Sequence, residues 1–408
     1  MSRNALGAEF TKEMRRTHTI YMPDMLHYHN AFLEAAFSYG GYRLATLPEY
    51  KNVNEKVLRY ISGDYCFPTI SIISQILAFL QDPQNETEQI AFLEPQAGGM
   101  CRAGNIYNLI IKTLDKSGRG EIPVISLNMT GQEKHSGFSI NRRMLVACIA
   151  GVCYGDLLML LTQQIKPYEQ KPGMAEELRK MWTKKLTDEI SVGRAISGKE
   201  RRRYFQQIVT DYKKIPTENK ACKKVGIVGE IYMKYSPIGN QHLEKYLTEC
   251  GCDYRLGGFV NYAIYVVFTE MQNAKLRGDH PAIIKVYEFV WNYLCRIQHE
   301  LTAVLSQAGM ICDVEFATLR RLANQVISDQ YNIGDGWLMA GEILALIEQG
   351  YDRIMILHPF GCLVSHVGAR GILKRIRMLY PQVRIQAIEY DYDQSKAMRE
   401  SRIQLVLG

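Results

Sequence analysis

The stretch RIMILHPFGC, residues 353–362, carries the clearest fold signal in this chain. Its first part, 353–357, is a short apolar run typical of a buried strand. A loop with proline and glycine follows and ends at Cys362, after which a helical pattern continues to Leu379 and a second apolar run covers 383–388. A strand, a helix and another strand in this order predict a parallel unit with a crossover helix.

The first half of the chain repeats this alternation. Apolar runs at 17–22, 42–47, 89–93 and 122–127 predict strands, and the segments 26–39, 69–80 and 105–114 between them have helical spacing. Cys101 follows the third of these strands and precedes a helix, which is the position that Cys362 takes in the second half. The two halves therefore predict the same kind of unit.

We predict an α/β fold with two doubly wound, Rossmann-like lobes of parallel sheets and a cleft between them. The first lobe covers 1–165 and carries Cys66 and Cys101, and a basic helical connector covers 166–223. The second lobe covers 224–408, includes a helical excursion at 281–330 and carries Cys362. Within it we expect a strand at 225–229 and helices at 238–248 and 259–271.

Several nucleotide and hydrolase motifs are missing from the sequence. Gly226 and Gly229, within the run 225–229, do not have the spacing of the Gly-x-Gly-x-x-Gly dinucleotide fingerprint, and no Gly-x-x-x-x-Gly-Lys-Ser/Thr phosphate loop occurs. A Gly-x-Ser-x-Gly elbow and a His-Glu-x-x-His pair are missing as well. An ATP site is therefore not expected in this chain.

Charge is unevenly distributed along the chain. The 408 residues carry 49 Lys and Arg against 42 Asp and Glu, a formal net charge of +7, and much of the excess lies between Arg179 and Lys224. Sparse aromatic residues and the lack of a recognition motif disfavour nucleic-acid binding by this segment. We expect it to dock an acidic protein partner, and a solvated helical face is the alternative.

The most apolar segment, 145–161, contains Asp156. A charge at the centre of a membrane span costs about 2.5–3.5 kcal/mol, so we predict a buried helix rather than a membrane helix. The N-terminal residues do not develop the apolar core of a signal peptide, and a cytoplasmic protein is expected.

Ten cysteines in a chain without an export signal disfavour a disulfide framework, and no pair has the Cys-x-x-Cys spacing of zinc ribbons. Cys66, Cys101 and Cys362 lie in loops with Gly or Pro that precede helical patterns. A helix start offers unpaired N–H groups and the positive end of the dipole, which favour a thiolate. We therefore predict that the three loops converge on one site. The remaining cysteines are expected to be structural: Cys148, Cys153, Cys222, Cys250, Cys252, Cys295 and Cys312.

Thiolates suit iron–sulfur clusters, zinc or copper, and three of them without a fourth suit a four-iron cluster with one distinctive iron. The alternative is three small buried residues, because free Cys is commonly buried. His358 and His366 are candidates for a fourth ligand or a hydrogen bond to the cluster, against the alternative of surface or capping histidines. Arg102 is a candidate to offset the negative charge of the cluster, unless it faces only solvent. Nucleophilic catalysis by Cys101 is another possible role, but its own loop contains no histidine to act as the base.

An ordered series of short motifs runs through nearly the whole chain. The motifs are FTKEM (10–14), THTI (17–20), DYCFP (64–68), GGMCRAGN (98–105), PVISLN (123–128), YGDLL (154–158), VGEI (228–231), NIGDGW (332–337) and HPFGC (358–362). Together they resemble the C-terminal region of the large acyl-CoA dehydratase activase-related proteins. That region is similar to the cluster-bearing subunits of 2-hydroxyacyl-CoA dehydratases and benzoyl-CoA reductases.

The resemblance implies a four-iron four-sulfur cluster held by Cys66, Cys101 and Cys362 in an anaerobic cytoplasm. It also implies an activase that hydrolyses ATP to drive one electron to very low potential. Long family members carry the activase domains in front of this region. Here they are absent, so we expect the activase to be a separate protein. Val364-Ser365 departs from the Pro-Asn that commonly follows the last cysteine.

The sequence leaves the role of the chain open. An iron–sulfur protein that relays or uses a low-potential electron is the leading interpretation, with an acyl-CoA as candidate substrate if the chain is catalytic. The rival is a non-enzymatic regulatory or scaffold protein whose cysteines are structural. The identity of the acyl-CoA, the fourth ligand and the oligomeric state are not predicted.

Overall fold

The structure is a computed structural model that describes residues 3–4, 7–50, 57–85, 87–95, 101–127, 135–392 and 394–408. Ten strands lie in these ranges. They are β1 (Arg3–Asn4), β2 (Gly7–Ala8), β3 (Thr19–Met22), β4 (Arg43–Thr46), β5 (Ile90–Pro95), β6 (Val124–Leu127), β7 (Lys223–Gly229), β8 (Cys252–Leu256), β9 (Arg353–Pro359) and β10 (Arg384–Tyr390).

Two four-stranded parallel sheets form the framework, beside a short antiparallel pair of β1 and β2. The first has the order β4-β3-β5-β6 and the second β10-β9-β7-β8. In both, the first strand along the chain lies between the second and the third, and the fourth lies outside the third. The predicted α/β class with two parallel, Rossmann-like lobes is therefore confirmed at the level of the sheets.

This strand order fixes where a ligand site can form. The chain passes from the first strand to the second on one side of the first, and it later crosses over to the third on the other side. The connections therefore diverge and leave a crevice at the carboxyl ends of the first and third strands. In the first sheet that crevice lies between β3 and β5, and in the second between β7 and β9. Cys101 follows β5 and Cys362 follows β9, so they occupy equivalent places in the two sheets.

Helices cover both sheets. Their bounds are Met14–Thr17, Asn30–Gly40, Phe67–Gln81, Ile106–Lys116, Arg142–Ile165, Met174–Ser191, Gly198–Lys213, Ile231–Tyr235, Leu243–Glu249, Phe259–Arg277, Pro281–Gln307, Phe316–Ala323, Leu338–Glu348, Leu363–Gly368, Leu373–Leu379 and Lys396–Leu407, with 3₁₀ turns at Arg102–Asn105 and Arg370–Ile372.

The longest apolar helix, Arg142–Ile165, begins after Asn141, whose side chain accepts a hydrogen bond from the backbone of Met144 at 2.9 Å. By length and composition this helix is apolar enough to cross a membrane, but 72% of its most apolar window is buried inside the fold. The prediction of a buried core helix is confirmed.

The basic segment contributes far more to the core than its charge suggests. Its two helices, Met174–Ser191 and Gly198–Lys213, bury Trp182, Leu186 and Phe205 in the main hydrophobic core. The connector predicted at 166–223 is therefore also part of the hydrophobic core, because most of its charged residues and its large apolar residues lie on different helix faces.

Three strands were not predicted: the short pair β1 and β2, and β8. Residues 252–256, to which no element was assigned from the sequence, form β8, and all five of its residues are buried. The helix expected at 238–248 is shorter, Leu243–Glu249, and a separate short helix, Ile231–Tyr235, precedes it. Cys252 accordingly lies in a strand rather than in a turn.

A buried carboxylate ties the two lobes together. Asp156, from the long helix of the first lobe, accepts hydrogen bonds from the backbone N–H groups of Phe259 at 2.7 Å and Val260 at 2.8 Å, at the helix start after β8. Its Oδ1 atom also lies 2.8 Å from Nε2 of His29, and both side chains are buried. Three elements from two lobes therefore share one carboxylate.

Candidate functional site

Cys66, Cys101 and Cys362 are each the residue that precedes the first turn of a helix. Cys66 begins the helix Phe67–Gln81 with Pro68 in its first turn, where a missing N–H is tolerated. All three cysteines have extended backbone angles, as a residue in this position does. The structure thus places the three cysteines at helix starts, as the sequence predicted.

Arg102 shows how close the three loops lie. Its Nη1 atom donates a hydrogen bond to the carbonyl oxygen of Asp64 at 3.2 Å, in the Cys66 loop. A methyl group placed on Gly361, in the Cys362 loop, would lie 3.6 Å from the same Nη1 atom. Because Arg102 itself follows Cys101, its guanidinium group lies between the other two loops. The glycines at 98–99 and Met100 lie outside the described residues.

The pKa values of the three thiols also indicate that the cysteines lie close together. Burial raises the pKa of Cys66, and it raises the pKa of Cys101 and of Cys362 to about 12. The negative charge of Glu230 adds to the rise in each of the three. A single carboxylate that acts on all three thiols places them around one region, as expected.

The same pKa values correct one expectation. Polar groups of the first turn do contact the sulfur atoms. The backbone of Ala103 hydrogen-bonds Cys101, Sγ of Cys66 lies 3.2 Å from Oγ1 of Thr69, and Sγ of Cys362 accepts from the backbone N–H of Ser365 at 3.4 Å. These contacts lower the pKa of the three thiols, but burial outweighs them. In the metal-free chain the helix starts therefore do not produce thiolates.

Two acidic residues beside the thiols were missed as site residues. Glu230 follows β7 and accepts a hydrogen bond from the backbone of Met233 at 3.0 Å, and Asp335 is buried. Burial raises the pKa of both carboxyls, and the charge of Glu230 raises that of Asp335 further. Both residues lie beside glycines in the motifs VGEI and NIGDGW, and that was the available signal.

The spacing of the sulfur atoms distinguishes between kinds of metal site. Among the described residues, the three cysteine sulfurs do not form a set within 4.8 Å of one another. Ligands of a single tetrahedral zinc ion, with bonds of about 2.3 Å to sulfur, are held about 4 Å apart. The arrangement disfavours a single ion held by the three cysteines together.

The histidines beside Cys362 are placed differently from each other. His358 is completely buried, and burial together with His366 lowers its pKa to about 4. His366 directs Nδ1 at the carbonyl oxygen of Cys362, 2.6 Å away. His366 therefore holds the Cys362 loop through its backbone.

All ten cysteines are free thiols in the structure. Cys148 and Cys153 lie on the long buried helix, and Cys295 lies within the helix Pro281–Gln307. Cys250 is exposed at the end of a short helix.

No family model, curated protein or solved structure matches this chain. What the fold and the site define is therefore a class: a two-lobed α/β protein with thiols gathered from three loops. The resemblance to the acyl-CoA dehydratase system stays a prediction.

Proposed function

We propose that this chain is an iron–sulfur protein that relays or uses a low-potential electron in an acyl-CoA dehydratase- or reductase-type system. Cys66, Cys101 and Cys362 would hold a four-iron four-sulfur cluster. The observation that carries the proposal is the gathering of these thiols, from separate loops, around Glu230 and Arg102.

The residues present fit such a group. Thiolates are the ligands that iron–sulfur clusters take, and a metal deprotonates a coordinating thiol outright even where burial opposes it. The sulfurs are too widely spaced to serve one ion together, as described above. When bound here, a cluster would supply one-electron transfer at low potential.

The surrounding side chains have separate tasks. The guanidinium group of Arg102 places a positive charge beside thiols that become negative on binding metal, which offsets their mutual repulsion. It also fixes the Cys66 loop through the Asp64 carbonyl. Glu230 and Asp335 bring carboxylate oxygens to the same region, as further donors or as contacts for a ligand.

A separate ATP-hydrolysing activase is the partner that this function requires. Exposed cations on the helix Gly198–Lys213 and after it, including Arg203, Lys213 and Lys223, offer a surface for an acidic protein. Such a surface speeds association in a salt-dependent way. The low-potential chemistry belongs in an anaerobic cytoplasm.

An absorption spectrum of the full chain, purified without oxygen, tests the proposal. We expect a brown protein with a broad visible band that dithionite bleaches, and no ATP hydrolysis by the chain alone. A colourless, iron-free protein that takes up no iron and sulfide on reconstitution would contradict the proposal and favour the scaffold interpretation.

A further inference from the structure

Three metal-ligating side chains that are not cysteines meet beside the Cys362 loop. His358 in β9, His366 in the helix Leu363–Gly368 and Glu389 in β10 place one ligand atom each within 4.8 Å of one another. His358 and Glu389 are direct neighbours in the parallel register of β9 and β10. The rigid sheet therefore holds two of the three ligands in place.

The hydrogen bonds of the two imidazoles leave the same nitrogen available in both. Nδ1 of His366 lies 2.6 Å from the carbonyl oxygen of Cys362, and Nδ1 of His358 lies 3.4 Å from that of Pro359. A ring N–H that donates to a backbone carbonyl leaves a lone pair on Nε2, which is how metal-binding histidines are usually oriented. Both Nε2 atoms thus carry a lone pair: that of His358 has no partner among the described residues, and that of His366 faces the guanidinium group of Arg370.

His358 points to a missing ligand most directly. Its side chain is 1% exposed, and its Nε2 atom has no hydrogen-bond partner among the described residues. Oε2 of Glu389 lies 3.9 Å from this atom, too far for a hydrogen bond. A buried nitrogen left unpaired is costly, so an ion between it and the carboxylate would stabilise both.

The guanidinium group of Arg370 lies where such an ion would bind. Its Nη1 atom lies 3.1 Å from Nε2 of His366 and 3.3 Å from Oε2 of Glu389. The side chain is 45% exposed, and it borders a cavity of about 390 Å³ that His358 and Glu389 also line. The guanidinium group can therefore swing out and let an ion enter from the cavity.

We propose that His358, His366 and Glu389 bind one divalent transition-metal ion of the zinc type, and that Arg370 substitutes for this ion when it is absent. Two imidazoles and one carboxylate with an open position are a known zinc set, in which ligand atoms stand about 3.3 Å apart. Nε2 of His358 and Oε2 of Glu389, 3.9 Å apart, need to close by about 0.6 Å to reach it, and no pair needs to close by more than about 1.5 Å. The site uses no cysteine and does not depend on the proposed cluster.

The site would act on the Cys362 loop through His366. A metal ion on Nε2 fixes the ring, and the opposite nitrogen holds the carbonyl oxygen of Cys362. Its occupancy would therefore tighten the loop that carries this cysteine.

Titration of the full chain with Co²⁺ under anaerobic conditions tests the site. Cobalt bound by nitrogen and oxygen gives visible d–d bands, whereas cobalt bound by thiolates adds an intense near-ultraviolet charge-transfer band. We expect about one Co²⁺ per chain with nitrogen and oxygen ligands only. Glu389→Gln should weaken this binding at least about tenfold, and Arg370→Gln should strengthen it severalfold because a competing cation is removed.

Controls keep the result interpretable. His299→Ala removes an exposed histidine that pairs with Glu315 at 2.7 Å, and it should bind Co²⁺ as the unmodified chain does. His358→Ala is a second test of the ligand set, read only if its melting curve shows a folded protein. Co²⁺ binding that Glu389→Gln leaves unchanged would overturn the proposal, as would a failure of both the unmodified chain and Arg370→Gln to bind the nitrogen–oxygen type of cobalt.

Discussion

At the scale of single residues, burial keeps the thiols of the site protonated in the metal-free chain. The pKa of Cys101 is raised to about 12, so this thiol carries its proton at neutral pH. A nucleophilic cysteine requires the opposite shift, and none of the described residues supplies a histidine base to Cys101. Metal coordination is the chemistry that removes such a proton without a base.

Glu94 provides a pH-dependent test of how this fold treats a buried acid. Its side chain in β5 is buried, and burial raises its pKa from 4.5 to about 8. The unfolded chain loses this proton near pH 4.5 and the folded chain near pH 8, so the free energy of unfolding should fall as pH rises between those values. Below that range the contribution is fully present, and above it no further loss occurs.

Glu94→Gln should remove this slope and raise the free energy of unfolding at pH 7. Urea denaturation of both proteins from pH 5 to pH 8 measures the effect. Asp188→Asn, at an exposed helix position, is the control and should change neither value. A variant whose stability falls with pH as steeply as that of the unmodified chain would show that Glu94 ionises normally.

At the scale of elements, the helix Gly198–Lys213 separates buried from exposed charge. The side chain of Arg201 is 3% exposed and its Nη2 donates to Glu300 at 2.8 Å, whereas Arg203 is exposed and lies over the ring of Tyr204. Arg201→Glu should lower the free energy of unfolding by about 3–5 kcal/mol, because it buries a carboxylate against Glu300. Arg203→Glu should cost about 1 kcal/mol or less.

Urea denaturation of the two variants checks this difference. It also decides how partner docking is tested, since a charge reversal at the buried Arg201 would confuse unfolding with lost association. Arg203 and Lys213 are the reversals to use, with the rate of association to an activase measured across salt concentrations. Equal stability of the two single variants would contradict the assignment of Arg201 to the core.

The strands and helices were predictable where apolar periodicity is plain, as in β5, β9 and the helix Arg142–Ile165. β8 was not, because two of its five residues are the charged Asp253 and Arg255. The structure satisfies these charges through partners distant in sequence: Tyr168 donates to Asp253 at 2.8 Å, and Arg255 pairs with Asp313 at 3.1 Å. Tertiary partners of this kind leave no trace in local sequence.

The residues of the candidate site, too, were only partly predictable from the sequence. Cys66, Cys101 and Cys362 could be selected because glycine and proline beside a helical pattern mark helix starts. Glu230 and Asp335 could not be assigned to it, since their closeness to Cys362 depends on packing within the second lobe and their closeness to Cys101 on how the two lobes meet. The rise in the thiol pKa values could not be predicted from the sequence either, because burial is a property of the folded chain.

At the scale of the whole molecule, the lobes share one hydrophobic core that includes residues of both sheets, such as Phe92 and Ile356. We expect a single cooperative unfolding transition, seen alike by fluorescence and by circular dichroism. Two separate transitions would show that the lobes fold independently.

Substitution of Asp156 tests most directly how the two lobes are joined. Asp156→Ala leaves two helix N–H groups and His29 without their acceptor, which should cost about 3–5 kcal/mol in the free energy of unfolding. Asp188→Ala removes a carboxylate from an exposed pair and should cost under about 1 kcal/mol. Urea denaturation compares the two, and similar losses would contradict a role for Asp156 in joining the lobes.

The central claim is that Cys66, Cys101 and Cys362 hold one cluster, and the iron and sulfide content of cysteine variants tests it most directly. The unmodified chain, purified without oxygen, should contain about four iron and four sulfide per chain. Cys66→Ser, Cys101→Ser and Cys362→Ser should each lose most of both, while Cys295→Ser and Cys312→Ser, at half-buried positions elsewhere, should keep them. Equal iron content in all five variants would contradict the account.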